Sequence, residues 1–148
     1  MIVVDASVAV KWFLSETNSR DAVALLTMDE KLVGPTLIRY EVAGALVRAH
    51  RRCDLDKKQL ESLCNGWIST LDRNVVRLIH EPMDLLRASS LAASIGHPLA
   101  DCLYLAVAER LAAPLVTADE VFCEKVQRKF PFVNRLSDAS RSLCNAGK

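Results

Sequence analysis

Five short, mostly aliphatic runs recur along this chain, each separated from the next by room for at least one helix, and that alternation most constrains the fold. The runs are "MIVVD", "KLVGP", "VVRLIH", "PLVT" and "FVNRL". They are apolar almost throughout instead of alternating, as strands covered on both faces are. Between them "SVAVKWFL", "SRDAVALLTM", "TLIRYEVAGALVRAHRR", "DKKQLESLCNGWISTL", "MDLLRASSLAASIG", "LADCLYLAVAERLAA" and "DEVFCEKVQRKF" read as helices. The pair Gly34-Pro35 is expected to close the second strand in a turn, with Pro35 suited to the first turn of the next helix. Gly96 is expected as a helix C-cap, Pro131 as a helix stop, and the tail "SDASRSLCNAGK" as frayed. Strands alternating with helices imply an α/β fold: a single domain over residues 1–148, with a central, mostly parallel sheet of about five strands flanked by helices on both faces.

A parallel sheet of this kind binds ligands beyond the carboxyl ends of its strands, near the point where strand order reverses. Two runs end on an acid, Asp5 in "IVVD" and Asp119 in "LVTAD". Each aspartate, or the neighbouring Ser7, can serve simply as the N-cap of the helix that follows. Two such ends in one small sheet argue for a shared role. Two more acids sit on helices with no lysine or arginine three or four residues away. Around Glu41 stand Leu37, Ile38, Gly44 and Ala45; around Asp101 stand His97, Pro98, Tyr104 and Leu105. A carboxylate among aliphatic side chains is costly unless something positive meets it. Asp101 could instead complement its helix dipole, and Glu41 could lie at a helix edge or pair with a distant arginine. Four acids on elements that can converge point to a shared hard cation such as Mg2+, which takes oxygen ligands. Gly44 would permit close approach of a backbone or ligand. Asp29, Glu30, Asp56 and Glu109 read as solvated surface charges.

The motifs "VVDAS", "LIRYEVAGAL", "HPLADCLYLAVAERL" and "LVTAD", in that order and spacing, resemble the PIN-domain ribonucleases, especially the toxin component of the VapBC toxin–antitoxin systems. The resemblance runs from "VVDASV" to "FVNRLSD", nearly the whole chain. It implies catalytic acids at Asp5, Glu41, Asp101 and Asp119, with supporting hydroxyls at Ser7 and Thr117. It implies Mg2+ or Mn2+ as cofactor, held directly by Asp5 and Asp101 and directly or through water by Glu41 and Asp119. The implied activity is endonucleolytic hydrolysis of RNA, leaving a 5′-phosphate and a 3′-hydroxyl. The implied partners are an RNA substrate, a cognate antitoxin encoded nearby, and a second copy of the chain in a homodimer. Members of the family carry glycine where this chain has Ala112 and Ala113, and Glu120 adjoins the last acid as a rival to Asp119.

An acidic site repels RNA, so cations must hold the flanking phosphates. Lys11, Arg39, Arg48, Arg51 and Arg52 are the candidates, with His50 in the same run, and one or two of them are expected to touch RNA. The formal net charge of +1 excludes a strongly basic nucleic-acid-coating protein but leaves a local basic face open. Trp12 and Phe13 could stack bases, although packing in the core or at a dimer interface is the expectation. The five cysteines lack C-x-x-C spacing, which points to reduced thiols and not to a zinc cluster. No basic region precedes the first apolar run, Asp5 interrupts it, and no run approaches a membrane span. A cytoplasmic location is therefore expected. Two rivals stand beside the ribonuclease: a non-catalytic RNA-binding or scaffold domain of the same fold, and a haloacid-dehalogenase-type phosphatase. The phosphatase motif has a second aspartate two residues after the first, where this chain has Ser7.

Overall fold

A computed structural model describes residues 1–139. Its five strands are β1 (Ile2–Val4), β2 (Leu32–Pro35), β3 (Val76–Ile79), β4 (Leu115–Thr117) and β5 (Val133–Arg135). They form one sheet in the order β3-β2-β1-β4-β5. Every pairing is parallel; Val3, for instance, aligns with Val33 on one side and Leu115 on the other. The chain adds strands leftward from β1 to β3, then returns to place β4 against the free edge of β1. The reversal falls between β1 and β4.

The helices are α1 (Ala6–Ala9, continued by a 3-10 turn to Trp12), α2 (Ser19–Leu25), α3 (Ile38–Arg51), α4 (Lys57–Asp72), α5 (Leu85–Ile95), α6 (Leu99–Leu111) and α7 (Glu120–Val126). With this strand order, the right-handedness general to parallel crossovers puts α1–α4 on one face of the sheet and α5–α7 on the other. The contacts follow that division: α3 packs on α1 and α4, and α6 lies against α5 and across β1, β2 and β4. All three β1 residues and the whole run Cys102–Ala108 of α6 are buried. This explains why α6 is apolar all round.

Asp56 caps α4 in a reciprocal capping box with Gln59, and Gly96 ends α5 in the left-handed region at φ 64°. The expected Gly34-Pro35 turn is not formed. Both residues stay in β2, aligned with Leu78 and Ile79, and α3 begins only at Ile38. Proline is tolerated there because Pro35 lies beyond the β2 residues paired with β1, so no β1 partner is left without its N–H, and the bond to β3 is made by the next amide, Thr36 N to Ile79 O at 3.1 Å. Gly34 is needed for close approach: a Cβ would stand 3.2 Å from Ile38 Cδ1 and 3.3 Å from the Val4 carbonyl. Residues 136–139 are helical, so the tail's first residues are ordered into structure; 140–148 lie outside the described residues. Among the described residues no helix is long and apolar enough to cross a membrane.

Two bidentate ion pairs clamp α5 to α6. Arg110 donates to buried Asp84 at 2.7 and 2.8 Å, and Arg87 donates to Glu109 at the same distances. Glu109 is thus a paired acid, correcting its reading as a merely solvated charge. Glu81, at the end of β3, accepts from Thr36 N at 3.0 Å and from its hydroxyl at 2.7 Å, fixing the entry to α3.

Ala112 closes α6 with φ 48°, and the next amide, Ala113 N, bonds back to Ala108 O at 3.1 Å. A Cβ in this left-handed conformation is strained by about 1–2 kcal/mol. Ala112→Gly is therefore expected to raise stability by about 0.5–1 kcal/mol after glycine's extra chain entropy is subtracted, measured by urea unfolding. A loss of stability would show that Ala112 is not in this conformation.

Candidate active site

Asp5 leaves β1 at its carboxyl end and immediately caps α1. Its Oδ1 accepts from Ser7 N at 2.7 Å, from Val8 N at 3.3 Å and from the Ser7 hydroxyl. Ser7 Oγ in turn accepts from Ala118 N at 2.9 Å, in the turn after β4. Thr117 repeats the arrangement: its hydroxyl accepts from Asp119 N at 3.0 Å and hydrogen-bonds to the Asp5 carboxylate. Both hydroxyls therefore satisfy a backbone amide and spend their own proton on Asp5. Asp119 caps α7 through Oδ1, which accepts from Phe122 N at 2.8 Å. The N-cap reading of both aspartates is thus realised. It does not exclude a second role, because the cap of Asp119 uses one carboxylate oxygen only.

Asp5, Glu41, Asp101 and Asp119 all line one cleft of about 500 Å³, at the reversal between β1 and β4. Glu41 enters from α3 and Asp101 from the first turn of α6. Glu120 is exposed and does not line the cleft, so Asp119 is the acid of that pair that reaches it. Asp5 is only 6% exposed. Burial pushes its carboxyl up to about 6, against the lowering effect of the Ser7 and Thr117 hydrogen bonds, and the nearby Asp101 adds to the rise. Burial also raises Glu41 and Asp101, with further rises from Asp5 and Asp101 on Glu41 and from Asp119 on Asp101. These are like charges gathered with too little positive charge to balance them.

Two site residues escape the sequence reading. Tyr104, 1% exposed on α6, donates its hydroxyl to Glu41 Oε2 at 2.5 Å, bridging the two faces of the sheet. Burial and Glu41 push its phenol well above the usual range. His97 places Nε2 2.9 Å from Asp101 Oδ2. Asp101 therefore does have a basic neighbour one helical turn away, and the i, i+4 spacing was the available signal. A ring nitrogen of His97 and carboxylate oxygens of Asp101 and Asp119 all lie within 4.8 Å of one another, a spacing able to hold a metal ion.

Of the basic candidates, Lys11, Arg48 and Arg52 line the cleft; Arg39 and Arg51 do not. Helical geometry separates them. Arg48 and Arg52 stand close to two and three turns beyond Glu41, on its face, whereas Arg39 lies on the far side and Arg51 about 80° away. Lys11 pairs with Glu16 at 3.0 Å and Arg52 with Asp54 at 3.1 Å. Among the described residues Arg48 makes no ion pair, and its field lowers the Glu41 carboxyl. Arg39 lies over the Tyr40 ring. His50 Nδ1 is engaged with Leu55 O at 2.8 Å. Gly44 admits no close backbone: the nearest group to a Cβ there is the Arg48 guanidinium at 3.5 Å. Trp12 donates to Ala22 O at 2.8 Å and Phe13 packs edge-on against Trp67, so both serve packing.

The family model described as the PIN domain matches residues 2–127. No curated protein matches the chain significantly. Among solved structures, the chain is similar to one in a toxin–antitoxin complex from Klebsiella pneumoniae, with TM-score 0.64 and 15% identity over 92% of this chain and 98% of that one. It is also similar to VapC20 from Mycobacterium tuberculosis, a sarcin-ricin-loop-cleaving toxin, with TM-score 0.58 and 18% identity over 80% and 88%.

Because burial raises the Asp5 carboxyl from 3.8 to about 6, the metal-free folded chain keeps a proton that the unfolded chain has lost. Its contribution to stability is fully present below the unfolded value and is lost as pH rises through the folded one. The stability of wild type relative to Asp5→Asn should therefore fall by on the order of 3 kcal/mol between about pH 4 and pH 7, read by urea unfolding in EDTA. A difference that stays flat over that range would mean that Asp5 is not desolvated.

Proposed function

The chain belongs to the PIN-domain family, and on that premise we propose that it is a divalent-metal-dependent endoribonuclease acting as the toxin of a toxin–antitoxin pair. The observation that carries the proposal is the convergence of Asp5, Glu41, Asp101 and Asp119, from four separate elements, on one cleft at the sheet's reversal point. The similarity to a chain in a toxin–antitoxin complex and to a toxin that cleaves RNA supports the same reading.

The residues fit a hard divalent ion. Carboxylate oxygens dominate the set, burial and then the neighbouring acids raise the carboxyls of Asp5, Glu41 and Asp101, and His97, Asp101 and Asp119 offer ligand atoms within 4.8 Å of one another. Asp5 and Asp101 would be the principal ligands of Mg2+ or Mn2+, with Glu41 and Asp119 acting directly or through water. Bound there, the ion would lower the pKa of a water molecule and stabilise charge on the phosphate oxygens. A carboxylate of the set takes the proton of the attacking water. Attack on phosphorus would break the bond to the 3′ oxygen, which takes a proton from solvent, giving a 3′-hydroxyl and a 5′-phosphate. Ser7 and Thr117 fix the orientation of Asp5, and Tyr104 fixes Glu41 by the shortest of its contacts. Arg48, which lines the cleft and makes no ion pair among the described residues, holds a phosphate flanking the scissile bond, with Lys11 and Arg52 beside it.

The toxin reading carries partners with it. A cognate antitoxin encoded nearby would lay a segment over the acidic cleft, an arginine being the side chain whose planar fork suits paired carboxylates. The active form would be a homodimer. Co-purification from the native operon, with the mass of the complex, checks both.

Asp5→Asn, Glu41→Gln, Asp101→Asn and Asp119→Asn should each lower RNA cleavage by roughly 100-fold or more, and the losses should not add. Tyr104→Phe should cost about 10–100-fold, the range for a group that orients a ligand. Cleavage should require divalent metal and stop in EDTA. In binding assays, Arg48→Ala should weaken RNA binding and reduce the salt slope by about one, while Arg51→Ala leaves both unchanged. RNA bound but never cut, by protein free of contaminating nuclease and supplied with Mg2+ or Mn2+, would favour the non-catalytic binding domain.

A further inference from the structure

Glu16 is a fifth acid on the cleft wall, outside the set of four that converges at the strand ends. It lies on the loop between the 3-10 turn and α2. That loop is braced from within: the Glu16 amide donates to Ser19 Oγ at 2.9 Å, and Ser19 Oγ donates to Leu14 O at 3.0 Å. Asn18 turns the chain through the left-handed region at φ 64°, and Trp12 ties the turn to α2 through Ala22 O at 2.8 Å. The backbone of Glu16 is therefore fixed. Its carboxylate is not: among the described residues it accepts only from Lys11 Nζ, at 3.0 Å. Lys11 stands one helical turn after Ser7 and lines the same cleft.

The two partners differ in what they can give up. The Lys11 side chain is 12% exposed and that of Glu16 39%. A largely covered ammonium left without an anion is costly, because water cannot replace the lost partner. A carboxylate with over a third of its surface in water is solvated on release, and a pair exposed on that side is weak. The pair can thus open in one direction only: the ammonium stays and the carboxylate leaves, provided another anion takes its place. Lys11 has the donors for such an exchange, since an ammonium carries three N–H groups and Glu16 accepts from one. A phosphodiester oxygen can arrive before the carboxylate departs, so the ammonium is never bare. Only the Glu16 side chain has to turn.

We propose that Lys11 is a backbone-phosphate subsite of the cleft and that Glu16 is its resident occupant, exchanged for an RNA phosphodiester when the strand binds. The inference rests on the RNA-binding part of the reading above and adds to it the residue that opposes binding. Because Glu16 is tethered beside Lys11, it competes at high effective concentration. The subsite therefore opens to a strand held at the same time by Arg48, and not to a lone anion.

The test measures binding of a short, fluorescein-labelled, single-stranded RNA of random sequence by anisotropy, using full-length untagged protein in Mg2+. The same mixtures are run on a gel to follow cutting, and thermal melts check that each variant is folded. Glu16→Gln should tighten binding about three- to tenfold. Glu16→Ala, whose backbone is still held by Ser19, should do the same. The control is Lys11→Met, which keeps the covered stem and removes the ammonium. On the Lys11→Met background, Glu16→Gln should change affinity less than about twofold, because a carboxylate acting through water and salt repels weakly. Unchanged or weaker binding by the Glu16 variants overturns the proposal and leaves the ribonuclease reading intact; weaker binding would make Glu16 an anchor that positions Lys11. An equal gain on both backgrounds overturns it too, as general repulsion would give. The expected pattern of binding with no RNA cut by any chain removes the catalytic reading and leaves the exchange standing. RNA bound by none of the chains overturns both.

Discussion

A carboxylate buried at the end of the central strand is the constraint on which the rest of the site depends. Asp5 sits where three layers meet, and leaving it unsatisfied would cost several kcal/mol. The chain offsets that cost with the α1 amides and with two hydroxyls that are each held in place by an amide of the β4–α7 turn. Ser7 and Thr117 must accept and donate at once, which restricts both positions to hydroxyl side chains. The alignment of β1 with β4, the start of α1 and the placing of Asp119 all follow from meeting the needs of one carboxylate. The offset is incomplete, as the raised Asp5 carboxyl shows. What remains is a demand for positive charge that a cation can meet.

The other two acids arrive from opposite faces of the sheet. Glu41 rides on α3 and Asp101 on α6, so helices from both layers wall the cleft at the strand ends. Tyr104 ties these faces together through its bond to Glu41. Behind Asp101, the ion pairs Asp84–Arg110 and Arg87–Glu109 brace α6 against α5, and His97 links the same corner to α7. Groups that must stay close despite mutual repulsion are carried on elements with little freedom to separate.

The fold and the four acids were legible in the sequence because each is a local contradiction or a local period. Aliphatic runs ended by acids mark β1 and the β4 turn, and an apolar helix interrupted by Asp101 marks α6. The Gly34-Pro35 pair misled because its local turn preference was outweighed by pairing with β3. Tyr104 was not legible. In a helix apolar all round, a tyrosine reads as core, and only tertiary placement reveals that its hydroxyl meets Glu41. His97 was half legible: the spacing to Asp101 is there, but a search for lysine and arginine passes over imidazole. Among the basic residues, helical phase relative to Glu41 separates Arg48 and Arg52 from Arg39 and Arg51, where clustering alone does not.

The topology also sets when the site can exist during synthesis. The partners that complete Asp5 come from the far end of the chain: the bond between Ser7 and Ala118 closes a separation of 111 residues. The central strand waits, with one edge open, until β4 has been made. A nascent chain emerges amino end first and folds as its segments become available. Until the last strands leave the ribosome, Asp5 lacks both of its hydroxyl-borne contacts to the second strand end, and the cleft has no fourth wall. By this arrangement the acidic cleft stays unassembled for most of the chain's own translation.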